Sequence, residues 1–285
     1  MRESTFSVPA TTANLGPGFD CLGVALDLSN RVTVAETGGP WEPADDIWGQ
    51  AAARFFETSG VAPFAHAWRI EGGVPRSRGL GSSVTVRLGL VAGLNDLAGD
   101  PLGRDALFEL CAGLEGHPDN AAPAAYGGFT VAGPAGVRPA RFEVDPALRF
   151  VLLIPGFEVA TPDARRVLPE TLPRRDAVRS AANACRVVAA FASRDYGMLR
   201  GAFGDGLHQP YRRALIPFLD DVIRAGEAAG AFGGFLSGSG STICCVAAAG
   251  TETAVAEAMR AAAPGAEAAV AAVGPDNAGA RRVRG

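Results

Sequence analysis

Residues 74–89 read VPRSRGLGSSVTVRLG, two glycines followed by two serines at the mouth of an apolar run. Gly79 and Gly81 admit backbone angles and close approaches that a side chain forbids. Ser82 and Ser83 stand where a helix begins, so hydroxyls and unpaired N–H groups converge there. Such a place suits an anion, and the helix dipole adds about 0.3–1 kcal/mol at an exposed position. From this stretch alone, a helix N-cap with glycines in its turn reads equally well.

Three further stretches bring chemically useful side chains together. VPATTANLGPGFDCLGVAL, residues 8–26, places Asn14 and Asp20 among glycines after a strand. GLEGHPDNAAPAAYGG, residues 113–128, sets Glu115, His117, Asp119 and Asn120 close together, with Glu109 one to two turns earlier on the preceding helix. GGFLSGSGSTICC, residues 233–245, is a glycine and serine turn between apolar runs. Each has a plain structural explanation: Asx turns in the first, capping or packing for His117 in the second, a tight hairpin in the third.

All 26 basic residues are arginine, and the chain contains no lysine. A Walker loop needs its lysine on the phosphates and a protein kinase needs its strand lysine, so both machineries are excluded. Lysine Schiff-base chemistry is excluded with them. A nucleotide bound here must be held by backbone amides, arginine and a metal.

The elements that must position these groups follow from patterning. Strands are predicted at about 4–10, 22–36, 64–71, 127–132, 138–144 and 149–155, with helices at about 46–58, 82–98 and 104–115. The 82–98 helix carries few charges and reads as buried. Beyond AGPAGVRPARFEVDPALR, helices at about 176–193, 211–229 and 251–262 alternate with strands near 150–155, 232–236, 241–248 and 266–272. This predicts an α+β protein with a seam near residue 148 and, after it, a small sheet with helices on one face.

The 285 residues, 48% of them hydrophobic, suffice for two domains. A formal charge of −4 argues against a nucleic-acid partner. Five cysteines in no disulfide or metal spacing fit reduced thiols, and no apolar signal core or membrane-length run is evident, so a cytoplasmic protein is expected. A homodimer is compatible with the sequence.

In order, spacing and content the four stretches resemble the GHMP kinases. PATTANLGPGFDCLG and EGHPDNAAPAAYGG are similar in particular to the homoserine kinase family. The resemblance implies an N-terminal domain of the ribosomal-protein-S5 domain 2 type over 1–148 and a ferredoxin-like domain over 149–285, with ATP and a small alcohol in the cleft between them. It implies that Pro75, Arg76, Gly79, Leu80, Gly81, Ser82 and Ser83 hold the ATP phosphates, and that Ser82 or Ser83 and Glu109 hold Mg²⁺. Homoserine would be met by Asn14 and Asp20 at its ammonium and by Arg165 and Arg212 at its carboxylate, with Thr161, His117 and Gly238 beside them. A zwitterion requires both charges in its pocket. Asp119, Asn120 and Arg165 occupy the positions for catalysis, with Asp119 standing where some relatives carry a base. The implied reaction is phosphorylation of the homoserine hydroxyl in threonine biosynthesis. Rival readings are a GHMP kinase for another alcohol, such as mevalonate or shikimate, and a non-catalytic relative.

Three departures from the family pattern stand out. Arg87 puts a charge on a helix that reads as buried, where it needs a partner. Ser241 replaces a common proline, and PADDIWGQ at 43–50 lacks the asparagine often found where adenine is held.

Overall fold

The computed structural model describes residues 2–283. Its first sheet is built from β1 (Glu3–Ala13), β2 (Leu22–Glu36), β3 (His66–Gly72), β4 (Phe129–Val131) and β5 (Ala140–Phe142). The fifteen-residue β2 organises it, pairing with β1 along its length, with β3 through residues 30–36 and with β4 through residues 22–24.

On this sheet lie α2 (Ser82–Leu97) and the short α4 (Ala121–Tyr126), with α1 (Ile47–Ser59) and α3 (Arg104–Glu115) packed over α2. Asp46 caps α1 through the amides of Trp48 and Gly49. The predicted burial of α2 is observed, and its glycines explain how closely it sits. A Cβ on Gly89 would stand 2.5 Å from Val32, and one on Gly93 2.5 Å from Val34, so only glycine lets α2 approach the sheet this closely.

The second sheet begins at Leu148 with β6 (Leu148–Pro155). Its order is β7 (Gly233–Leu236), β8 (Ile243–Ala248), β6 and β9 (Ala268–Val273). Helices α5 (Thr161–Arg166), α6 (Arg174–Ser193), α7 (Gln209–Arg212), α8 (Leu219–Ala228) and α9 (Glu252–Ala261) complete this half. Side chains alternate along a strand, and both faces of β6 are used. Val151 and Leu153 pack with Leu219, Val222, Val255 and Met259 of α8 and α9. Phe150 and Leu152 pack with Val187 and Phe191 of α6 and with Leu22, Val24 and Phe129 of the first sheet. The second face is therefore covered too, and one core runs through both halves; the Phe129 and Phe191 rings stack at 4.2 Å.

One helix expectation is corrected. The helix expected over 211–229 is broken into α7, a 3₁₀ turn at Arg213–Leu215 and α8, because Pro217 cannot donate and disfavours helix in the residue before it. The tail returns to the first sheet: Asp276 donates its amide to Ala25, and β10 (Arg281–Arg282) pairs with β1. No helix among the described residues is long and apolar enough to cross a membrane.

Candidate active site

Four loops meet over a cleft of about 640 Å³ between the two sheets. Its floor is the turn that opens α2. Gly81 caps this helix in a left-handed conformation, φ +66°, and offers no side chain to the first-turn amides. Those amides have no partner inside the helix and remain for a ligand. A Cβ on Gly81 would stand 2.1 Å from Thr11 Oγ1, and one on Gly79 2.1 Å from the Ser237 carbonyl.

The glycine and serine turn between β7 and β8 clamps this floor. Ser237 Oγ donates to the Gly79 carbonyl at 2.6 Å and lies 2.8 Å from Thr12 Oγ1. The Thr242 amide donates to Arg78. Arg78 in turn donates to the carbonyls of Pro155 and Gly156, tying the loop to the end of β6. Ser241 donates to Phe157, a hydrogen bond that proline could not make. Arg76, Gly79, Gly81, Ser82 and Ser83 line the cleft. Leu80, whose side chain is buried, and Pro75 stand outside the lining.

Glu109, expected at the metal, does not line this cleft. That carboxylate accepts from the Gly136 amide and faces a separate hollow, whereas Glu115 reaches the cleft and accepts from Ser83 Oγ at 2.9 Å. Six helical positions separate the two glutamates, about 240° around α3, so they point away from one another. Glu115 also answers the oddity of Arg87, whose guanidinium pairs with its Oε1 while Ser83 takes Oε2.

The acceptor end gathers residues from every loop. His117 donates Nδ1–H to Asp119 Oδ1 at 2.7 Å, and the same oxygen accepts the Asn120 amide at 2.9 Å and its Nδ2 at 3.2 Å. Burial pulls the His117 imidazole down, but the hydrogen bond and charge of Asp119 outweigh it and leave the imidazole raised. Asn120 is fixed from behind by Thr11 Oγ1 at 2.7 Å. Arg165 makes a two-point pair with Asp20, at 2.7 and 3.1 Å. Ligand atoms of Asp20, His117 and Asp119 lie within 4.8 Å of one another. The oxygens of Ser83 and Glu115 beside the α2 turn offer a second place for a divalent cation.

Arg212 is 2% exposed yet lines the cleft, donating to the carbonyls of Ala164 and Gly238. Burial first, and the neighbouring Arg165 second, lower its pKa to about 10, so it remains a cation at neutral pH. Asn14 is part of the scaffold: its Nδ2 donates to Gly238 and its Oδ1 accepts the Asp20 amide. Thr161 and Gly238 line the wall. Sequence reasoning missed Phe19, whose ring lies under the guanidinium groups of Arg165 and Arg212 at 5.4 and 5.3 Å. It also missed Trp48 and Trp68, stacked at 3.4 Å at the apolar end of the cleft beside Ile47 and Ile70.

Comparison with known proteins agrees with this geometry. The GHMP kinases N terminal domain model matches residues 46–128, and the GHMP kinases C terminal model matches 187–265. A homoserine kinase of Microchaete diplosiphon is 40% identical over 276 residues, 91% of this chain and 90% of its own length. A homoserine kinase of Thermus thermophilus is 40% identical over 266 residues, 89% of this chain and 90% of its own length. The crystal structure of homoserine kinase from Cytophaga hutchinsonii superposes with a TM-score of 0.92 at 26% identity, covering 99% of this chain and 98% of that one. A mevalonate kinase at 14% identity and TM-score 0.71 shares the fold. With two-fifths of its residues identical to such relatives over nine-tenths of its length, the chain belongs to the homoserine kinase family of the GHMP kinases.

Proposed function

We propose that this chain is an ATP-dependent kinase that phosphorylates the side-chain hydroxyl of L-homoserine, the step that leads into threonine biosynthesis, in the cytoplasm. The observation that carries the reading is the facing pair of Asp20 and Arg165, with Arg212 beside it, next to a cradle of helix-terminal amides. A carboxylate and two guanidinium groups match the ammonium and carboxylate of an amino acid, and mevalonate, a hydroxy acid without an ammonium, would leave Asp20 unanswered.

In this reading the amides of Gly79 to Ser83 and Arg76 bind the phosphates, and the apolar end around Trp48 and Trp68 receives the base. Mg²⁺, when bound, would be held by Ser82, Ser83 and Glu115, the hard oxygen donors that ion takes, and would supply charge neutralisation on the phosphates. The homoserine oxygen forms its bond to the γ-phosphorus as the bond to the bridging oxygen of ADP breaks, and the hydroxyl proton is lost. Asp119 spends Oδ1 on His117 and Asn120, which leaves Oδ2 to orient that hydroxyl and take its proton. Arg165, which lines the same cleft, is assigned in this reading to offset charge developing on the transferred group.

The test is ADP release with Mg·ATP against homoserine, threonine, mevalonate and shikimate. Turnover with homoserine in preference to the others is expected, and turnover only with another alcohol would sink the reading.

A further inference from the structure

His208 is fully buried and does not line the cleft, yet it touches both loops that shape the acceptor end. Its Nε2 lies 2.8 Å from the Gly16 carbonyl, and its Nδ1 lies 3.2 Å from Arg212 Nη1. A carbonyl only accepts and a guanidinium only donates, so one form satisfies both contacts: neutral imidazole with its proton on Nε2.

These bonds close a ring. Gly16 belongs to the loop carrying Asn14 and Asp20; Asn14 donates to the Gly238 carbonyl at 2.9 Å; Arg212 donates to the same carbonyl at 3.0 Å; and His208 joins Arg212 back to Gly16. Phe19 of that loop stacks on the imidazole at 5.2 Å. Asp205 fixes the backbone of His208, its Oδ2 accepting the amides of His208 and Gln209 at 3.0 and 2.7 Å, and the same oxygen lies 3.5 Å from Nε2, on the side that carries the proton. Gly16 is held where no side chain fits, since a Cβ there would stand 2.4 Å from the Phe203 carbonyl. Among the described residues Arg212 Nη2 has no protein partner, which leaves it for a ligand in the cleft.

We infer that His208 is a positioning residue for the amino-acid substrate, holding the loop that carries Asp20 and the guanidinium of Arg212 in one register, so that the ammonium and carboxylate are met at a fixed spacing. This rests on the homoserine reading above. The nucleotide cradle is not part of the ring, so the substrate and ATP sites respond differently when the ring is opened.

Two near-isosteric variants open it at different points. His208→Gln keeps a donor near Gly16 and loses the acceptor for Arg212; His208→Asn keeps an acceptor near Arg212 and loses the donor. We expect His208→Gln to raise the homoserine KM about 10-fold or more, the usual scale for a lost hydrogen bond to a charged group. The ATP KM should move by less than about 3-fold, and His208→Asn should recover part of the homoserine affinity. An unmoved homoserine KM, or equal rises for both substrates, would overturn the inference. Nitrogen-15 spectra of histidine-labelled wild-type protein provide a readout that needs no variant. The Nε2–H tautomer at neutral pH is expected, whereas the Nδ1–H tautomer or an imidazolium would overturn it. Wild-type turnover separates the two claims, because absence of homoserine phosphorylation sinks the functional reading, while normal wild-type turnover with an unmoved KM in His208→Gln sinks the role of His208 alone.

Discussion

Arg165 and Asp20, 145 positions apart in the chain, meet in a two-point ion pair across the acceptor end of the cleft. Each side chain is about one-third exposed, so water screens the pair and its worth to stability is small. In the proposed reading its worth is chemical, because an incoming zwitterion would exchange this internal pair for two of its own and strand neither charge. Arg165→Ala is expected to raise the homoserine KM about 10- to 100-fold while hardly moving the ATP KM. Steady-state kinetics with each substrate varied in turn check this, and equal effects on both would mean that Arg165 is no substrate clamp.

Glu115, rather than Glu109, stands beside Ser83, and the two glutamates should separate cleanly in a magnesium titration. If Glu115 holds the metal as proposed, Glu115→Gln is expected to raise the Mg²⁺ concentration for half-maximal activity by about 10-fold or more and to lower kcat. Glu109→Gln should behave as wild type. Equal behaviour of the two variants would remove Glu115 from the metal site.

Arg87 and Glu115 are both shielded from solvent, with 14% and 9% of their side chains exposed. Removing one partner of such a pair strands the other, so Arg87→Ala should cost about 3 kcal/mol in a denaturant titration. A loss under about 1 kcal/mol would show that water takes over the guanidinium's place.

Asp119→Asn probes whether a base is required. If Asp119 takes the hydroxyl proton, kcat falls by about 10²-fold or more, the usual onset of general-base effects. A much smaller loss assigns the rate to alignment and charge neutralisation.

The buried His208 gives stability a pH dependence whose sign can be worked out. Burial, then Arg212, lower its pKa from 6.5 to about 4 against the opposing pull of Asp205. The unfolded chain therefore takes up the proton first, and stability falls as pH drops from about 6.5 toward 4, by up to about 3 kcal/mol. His117 acts in the opposite sense: its raised value adds stability that is present at low pH and lost as pH rises through the folded-state value. Urea titrations across this window should show a slope that His208→Gln flattens; an unchanged slope would contradict it.

How much of this is legible in the sequence varies with the distance over which the deciding contact acts. The glycine turn at Gly79 to Ser83 and the helix it opens are readable because glycines, serines and an apolar helix follow one another directly. The burial of α2 is readable from its lack of charge, although the reason for Gly89 and Gly93 lies in Val32 and Val34 of another element. The choice between Glu109 and Glu115 is not readable, since it depends on how α3 is rotated against α2. Arg87 visibly needs a partner, but that partner lies 28 positions away. His208 carries a faint signal, a histidine four residues before an arginine in HQPYR, but the contact that gives it meaning spans 192 positions. Pro217 is a local signal, and it breaks the 211–229 helix against the apolar periodicity that runs through it.

The central claim, a kinase for an alcohol that carries both an ammonium and a carboxylate, is tested most directly by comparing kcat/KM for homoserine, 4-hydroxybutyrate and 3-amino-1-propanol with Mg·ATP. Each analogue lacks one charge, so binding it would separate Asp20 from Arg165 and leave one of them unanswered. Homoserine should exceed both by about 100-fold or more. Comparable values for either analogue, or no phosphorylation of homoserine, would contradict the account.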